Sequence, residues 1–180
     1  MLKACCAFTG YRPHRLPYGN DESHPDCIRL KYSLMEAVNS HLDMGIRIFI
    51  SGMARGIDQW AAEIVLMAKE NHPHDGIELW CAIPYDRQAA AWTQKEQARY
   101  HTILSKADHI DYVSHQYYDG CLLARNRFMI DHAMYLIAVY DGQKGGTRYT
   151  VNYAKRKGIY VTIVDPYAHK DNATVQNRGP

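Results

Sequence analysis

Six short apolar runs, separated by five stretches with helical periodicity, constrain this chain more than any other feature. The runs are LKACCAF (Leu2–Phe8), IRIFIS (Ile46–Ser51), IELWCAI (Ile77–Ile83), the weaker HIDYVS (His109–Ser114), YLIAVY (Tyr135–Tyr140) and IYVTIV (Ile159–Val164). Most are apolar at successive positions rather than alternate ones. A strand of that kind is covered on both faces, which is the habit of parallel sheets. Between the runs lie five candidate helices, over Pro25–Gly45, Ile57–His72, Asp86–Ala107, Asp119–Met134 and Thr147–Gly158. In the first, Ile28, Tyr32, Met35, Val38 and Leu42 recur at spacings of three and four and predict the inward face. In the second, Trp60, Ile64 and Met67 do the same. Alternation of this sort predicts an α/β fold: a single Rossmann-like domain over 1–165, doubly wound, with a mostly parallel sheet and helices on both faces. The polar residues 166–180 read as a C-terminal tail.

Composition removes several classes. The 21 Lys and Arg exceed the 19 Asp and Glu by two, without the surplus expected of a dedicated duplex-DNA binder. No apolar run approaches the roughly 18 residues of a membrane span. The five cysteines form no C-x-x-C pair, and Cys5, Cys6 and Cys81 sit in strands as small hydrophobes. An odd, unpatterned set points to a reducing compartment, so a cytoplasmic location is expected. The ten histidines are scattered without ligand spacing, and no metal site is expected. A homodimer is expected on base rate alone.

In an open parallel sheet, ligands bind beyond the carboxyl ends of the strands. The loops there are rich in small and polar residues. TGYRP supplies Thr9, Gly10 and Arg12; SGMARGID supplies Ser51, Gly52, Ala54, Gly56 and Asp58; GGT supplies Gly145, Gly146 and Thr147. Glycines before a hydroxyl residue at a helix start suit an anion, because first-turn N–H groups are free and no Cβ blocks approach. Taken singly, the GGT loop reads equally as a flexible connection with a helix cap, and Gly52 and Gly56 as packing glycines. Their place on one edge of the sheet favours a phosphate. Arg125 and Asn126 are candidates to bracket that phosphate, whereas Arg127 is expected to face solvent and pair with Asp131 one turn on. Asp58 either complements its helix start or accepts a ribose hydroxyl. Tyr85 is a candidate to stack on a base, and Trp92 is assigned to the core.

The segments TGYRP, SGMARGIDQWAAE, PYDRQAAAW and ARNRFMIDHAMYLIAVYDGQKGGTRYTVNYA together resemble the YpsA-like family of the SLOG superfamily, over about Leu2 to Val164. The resemblance implies a Rossmann-like fold and a nucleotide or nucleotide-derived ligand, such as NAD or an ADP-ribose-like molecule, held for sensing or regulation. Ser51–Asp58 and Arg125–Arg127 are similar to stretches of DprA, which implies single-stranded nucleic acid as an alternative partner. Arg125 and Gly145–Thr147 are similar to the LOG phosphoribohydrolases. Those enzymes carry a catalytic glutamate just after the loop threonine, and this chain reads Thr147-Arg148-Tyr149-Thr150 there. A hydrolase would then need Glu63 or Asp58 as a substitute, and no catalytic residue is assigned.

Overall fold

The computed structural model describes residues 4–167. Strands β1 (Cys5–Thr9), β2 (Ile48–Ser51), β3 (Glu78–Ile83), β4 (His109–Tyr112), β5 (Tyr135–Val139) and β6 (Tyr160–Val164) alternate with helices. The helices are α1 (Pro25–Asp43), α2 (Ile57–Asn71), α3 (Gln94–Lys106), α4 (Cys121–Asp131) and α5 (Gly146–Arg156). All six strands are parallel and lie in the order β4-β3-β2-β1-β5-β6. The chain winds outward from β1 to β4, then returns to the other side of β1 with β5. The switch of direction therefore falls between β1 and β5, where Thr9 is the register partner of Ala138.

The two-residue period of a strand sorts side chains onto opposite faces. Cys6, Phe8, Phe49, Leu79, Ile137 and Val139 join one core with α1, α2 and α3. Cys5, Ala7, Ala82, Leu136 and Ala138 join a second core with Met129 and Ile130 of α4 and Val151 and Ala154 of α5. The first face holds the fully buried rings, including a Phe8–Phe49 stack at 5.9 Å. The second is lined with smaller residues.

Several expectations are corrected. The inward face of α1 is Cys27, Leu30, Leu34, Ala37, Val38 and His41, while Ile28 and Tyr32 are 43% and 60% exposed. Met67 of α2 is likewise exposed. The third helix begins at Gln94, not Asp86, because Thr93 and Glu96 close a reciprocal capping box and the residues before them form turns. Edge strand β6 is mostly exposed despite its apolar sequence. The expected tail from 166 lies outside the described residues beyond Tyr167. All five cysteines are buried, and none forms a disulfide among the described residues.

Candidate functional site

The loop after β2 shows why its glycines are there. Ser51 Oγ donates to the Asp58 carbonyl at 2.8 Å and accepts the Met53 N–H at 3.1 Å. The pair of bonds holds Met53, fully buried, at a φ of 56°, a conformation that non-glycine residues seldom adopt. Gly52 has no room for a side chain because the Arg125 guanidinium lies across it and donates to its carbonyl. Gly56 takes a φ of 86°, and a Cβ there would lie 2.9 Å from the Tyr11 carbonyl and Pro13. The bare corner thus makes room for the protein's own Arg125 and for the loop after β1.

Arg125 and Asp58 are both buried, with Arg125 Nη1 3.9 Å from Asp58 Oδ2. Burial raises the Asp58 carboxyl, and Arg125, the Ala54 N–H at 3.3 Å and Arg12 oppose it. Burial lowers the Arg125 guanidinium, and Asp58 opposes that. Arg125 Nε also donates to Asn126 Oδ1 at 2.8 Å, and Asn126 Nδ2 to Thr150 Oγ1 at 2.9 Å. This chain of bonds ties α4 to the loop after β2 on one side and to α5 on the other.

Above it, at the switch point, opens a crevice of about 330 Å³. Of the residues singled out in the loops, Thr9, Gly10, Arg12, Ala54, Asp58, Arg125, Asn126, Gly146 and Thr147 line it. Ser51, Gly52, Gly56 and Gly145 do not; the first three form its scaffold. Tyr85 lies elsewhere, its ring meeting Tyr117 edge-on at 5.4 Å. Sequence reasoning missed Tyr11, His14, Arg15, Leu122 and Leu123. The Tyr11 hydroxyl donates to Asp141, and Arg15 donates to the Lys144 carbonyl at 2.9 Å, so the loops after β1 and β5 are clasped together. Leu122 and Leu123, half-buried, give the crevice an apolar wall.

The electrostatics favour an anion. Helices α2, α4 and α5 each start at a glycine, Gly56, Gly120 and Gly145, without a side-chain cap. Each contributes first-turn residues to the crevice: Asp58, Leu122 with Leu123, and Gly146 with Thr147. The other two helices, α1 and α3, are capped by His24 and Thr93 and contribute nothing. First-turn N–H groups without a partner carry partial positive charge. Arg12 adds a full one, with no ion pair among the described residues. Among the described residues, Asp58 is the one carboxylate lining the crevice.

A larger groove of 740 Å³ lies across the Pro13–Arg15 turn, but its arginines are held by nearby carboxylates. Arg55 meets Glu96 at 2.9 Å, and Arg99 meets Glu22 and, at 2.6 Å, Glu63. Glu63 is thereby committed to α3 and stands outside the crevice.

A doubly wound parallel sheet with a glycine-edged, anion-suited crevice at its switch point defines a Rossmann-like domain. The model of the YspA SLOG family matches residues 6–167, and the chain belongs to that family. It is 33% identical over 157 residues to the UPF0398 protein of Bacillus thuringiensis (strain Al Hakam), covering 84% of this chain and 83% of that one. To the UPF0398 protein of Halalkalibacterium halodurans it is 28% identical over 152 residues, covering 83% and 79%. Among solved structures it is similar to DNA processing protein A (DprA) of Streptococcus pneumoniae, with TM-score 0.58 and 15% identity. DprA of Helicobacter pylori, described with its single-stranded DNA binding mode, gives 0.59 and 17%. The likeness covers 98% and 91% of this chain but 57% and 66% of those proteins, and it shows a shared fold. No helix among the described residues is long and apolar enough to cross a membrane.

Proposed function

We propose that the protein binds a nucleotide or nucleotide-derived molecule in the β1/β5 crevice and acts as a sensor or regulator. The phosphate sits at the start of α5 on the Gly146 and Thr147 N–H groups, with Arg12 as its counter-charge. Asp58 faces the sugar, and Leu122 with Leu123 takes the base. NAD and ADP-ribose-like molecules fall in this class. The observation that carries the reading is the convergence of three uncapped helix starts on one crevice, while the capped helices stay away. Hydrolysis is not part of the proposal, because no carboxylate follows Thr147 in Arg148-Tyr149-Thr150 and Glu63 is held by Arg99 outside the crevice. Cytoplasmic residence and two-fold assembly belong to the same proposal.

A thermal-shift screen against nucleoside phosphates, NAD and ADP-ribose tests the reading. A ligand at 100 times its dissociation constant adds about 2.7 kcal/mol of stability. Nothing lies within 4 Å of a Cβ at Gly146, so Gly146→Asp leaves the fold intact and puts a carboxylate where the phosphate belongs. The shift is expected to vanish in that variant. A shift that survives it contradicts the placement. A second reading, single-stranded nucleic acid in the same crevice, draws support from the DprA likeness. Oligonucleotide binding lost in Gly146→Asp, with no response to mononucleotides, would favour it.

A further inference from the structure

The doubly wound fold separates the charges of this near-neutral chain. From Cys121 to Lys157, seven Lys and Arg stand against two Asp, a net of +5. The whole chain carries +2, so the remaining residues carry −3. The pairing is just as unequal. Of the six Lys and Arg on α1, α2 and α3, all but Lys95 are held by a carboxylate: Arg29, Lys31, Lys69, Arg99 and Lys106. On the opposite face Arg127, Arg148, Lys155 and Arg156 are exposed and have no carboxylate partner among the described residues. Asp131, which helical spacing would have given to Arg127, accepts from Lys157 at 2.8 Å and from the Tyr153 hydroxyl at 2.9 Å.

Aromatic rings interleave with these cations. Arg127 lies over the Tyr149 ring at 6.0 Å. Tyr149 and Tyr153 run parallel one turn apart, 6.5 Å between centroids, and Arg156 lies over Tyr153 at 5.8 Å. The result is a row from α4 along α5: cation, ring, ring, cation. Stability does not account for it. Arg148 stands in the first turn of α5, where a cation opposes the helix dipole, and neither α4 nor α5 has an acidic residue in its first turn. Folding alone would scatter these charges or pair them, as it does on the other face.

We infer that the α4–α5 face is a docking surface for single-stranded nucleic acid. Unpaired exposed cations meet the phosphates, and Tyr149 and Tyr153 with their flanking arginines offer flat surfaces for unstacked bases. Such bases are available in a single strand and sheltered in a duplex. The row fits a single strand better than an acidic protein, because two parallel rings one turn apart match successive unstacked bases. This inference shares a partner class with the second crevice reading but not its site, and the two are decided by different variants.

The test is fluorescence anisotropy of the full chain with a labelled oligothymidylate, the matched duplex, and vesicles of anionic phospholipid, each over a series of salt concentrations. Single-strand binding is expected to be strongest and to fall with salt. Arg127→Glu/Arg156→Glu weakens it by about ten-fold or more and reduces the salt slope by roughly 1.4, two contacts at about 0.7 each. The milder pair Arg148→Gln/Lys155→Gln acts in the same direction. Tyr149→Leu weakens binding by about ten-fold with the salt slope unchanged. Lys95→Glu, a charge reversal on the opposite face, has no effect. Gly146→Asp spares oligonucleotide binding while removing any mononucleotide response. No single-strand binding at low salt, equal or better binding of duplex, binding to vesicles alone, or an equal loss in Lys95→Glu overturns the inference.

Discussion

Gly52 and Gly56 illustrate how one sequence signal admits two physical causes. Both mark a place where backbone is approached closely, which is legible from TGYRP and SGMARGID. The identity of the approaching groups is not, because they come from distant segments: Arg125 of α4 at Gly52, 73 residues along the chain, and the loop after β1 at Gly56. The Arg125 guanidinium occupies the space that the bare corner leaves at Gly52. Gly52→Ala therefore forces Arg125 off the Gly52 carbonyl and away from Asp58. The expected cost is roughly 1–3 kcal/mol of stability, the range for overpacking a well-filled interior. Urea denaturation measures it as a lower midpoint with an unchanged slope. A neutral Gly52→Ala would mean that Arg125 does not need that position.

At the level of elements, the order of strands and helices was legible because apolar runs and helical periodicity are strong signals. Faces and boundaries were less so. Ile28 and Tyr32 match the helical period of α1 as well as Leu30 and Leu34 do, and only packing against β5, β6 and α2 chooses between the two stripes. The start of α3 did carry a local signal: Thr93-Gln94-Lys95-Glu96 has the spacing of a capping box. Nine of the fourteen expected site residues line the crevice, because loops at the carboxyl edge converge wherever the winding direction switches. Leu122 and Leu123 escaped notice since apolar residues in a helix read first as core. Another tie between elements makes a pH prediction. Glu22, in the long loop after β1, is joined to Lys31 of α1 and to Arg99 of α3, which also holds Glu63 of α2. Burial alone would raise the Glu22 carboxyl, but Arg99 and Lys31 overcome it and bring it down to about 2. A carboxyl lowered by folding adds stability above its unfolded value of 4.5, and that stability is lost as pH falls from there towards 2. Partial exposure discounts the amount to about 1 kcal/mol. Glu22→Gln is expected to lower stability by that much at pH 7 and to flatten the acid limb between the two values. An acid limb identical to that of the parent protein would contradict the assignment.

Taken as a whole, the molecule divides its labour between two faces and one edge. The α1–α3 face is ring-packed and charge-paired. The α4–α5 face is packed with smaller residues and carries the surplus cations. The carboxyl edge of the sheet holds the crevice, and the uncapped starts of α2, α4 and α5 all lead to it. That convergence is the central claim, and backbone amide NMR during titration with nucleoside diphosphates tests it most directly. The account predicts that the amides of Gly10, Gly146 and Thr147 shift most, with the response lost in Gly146→Asp. Shifts centred instead on Tyr85 and Tyr117, or a titration that leaves those three amides unmoved while another surface responds, would contradict it.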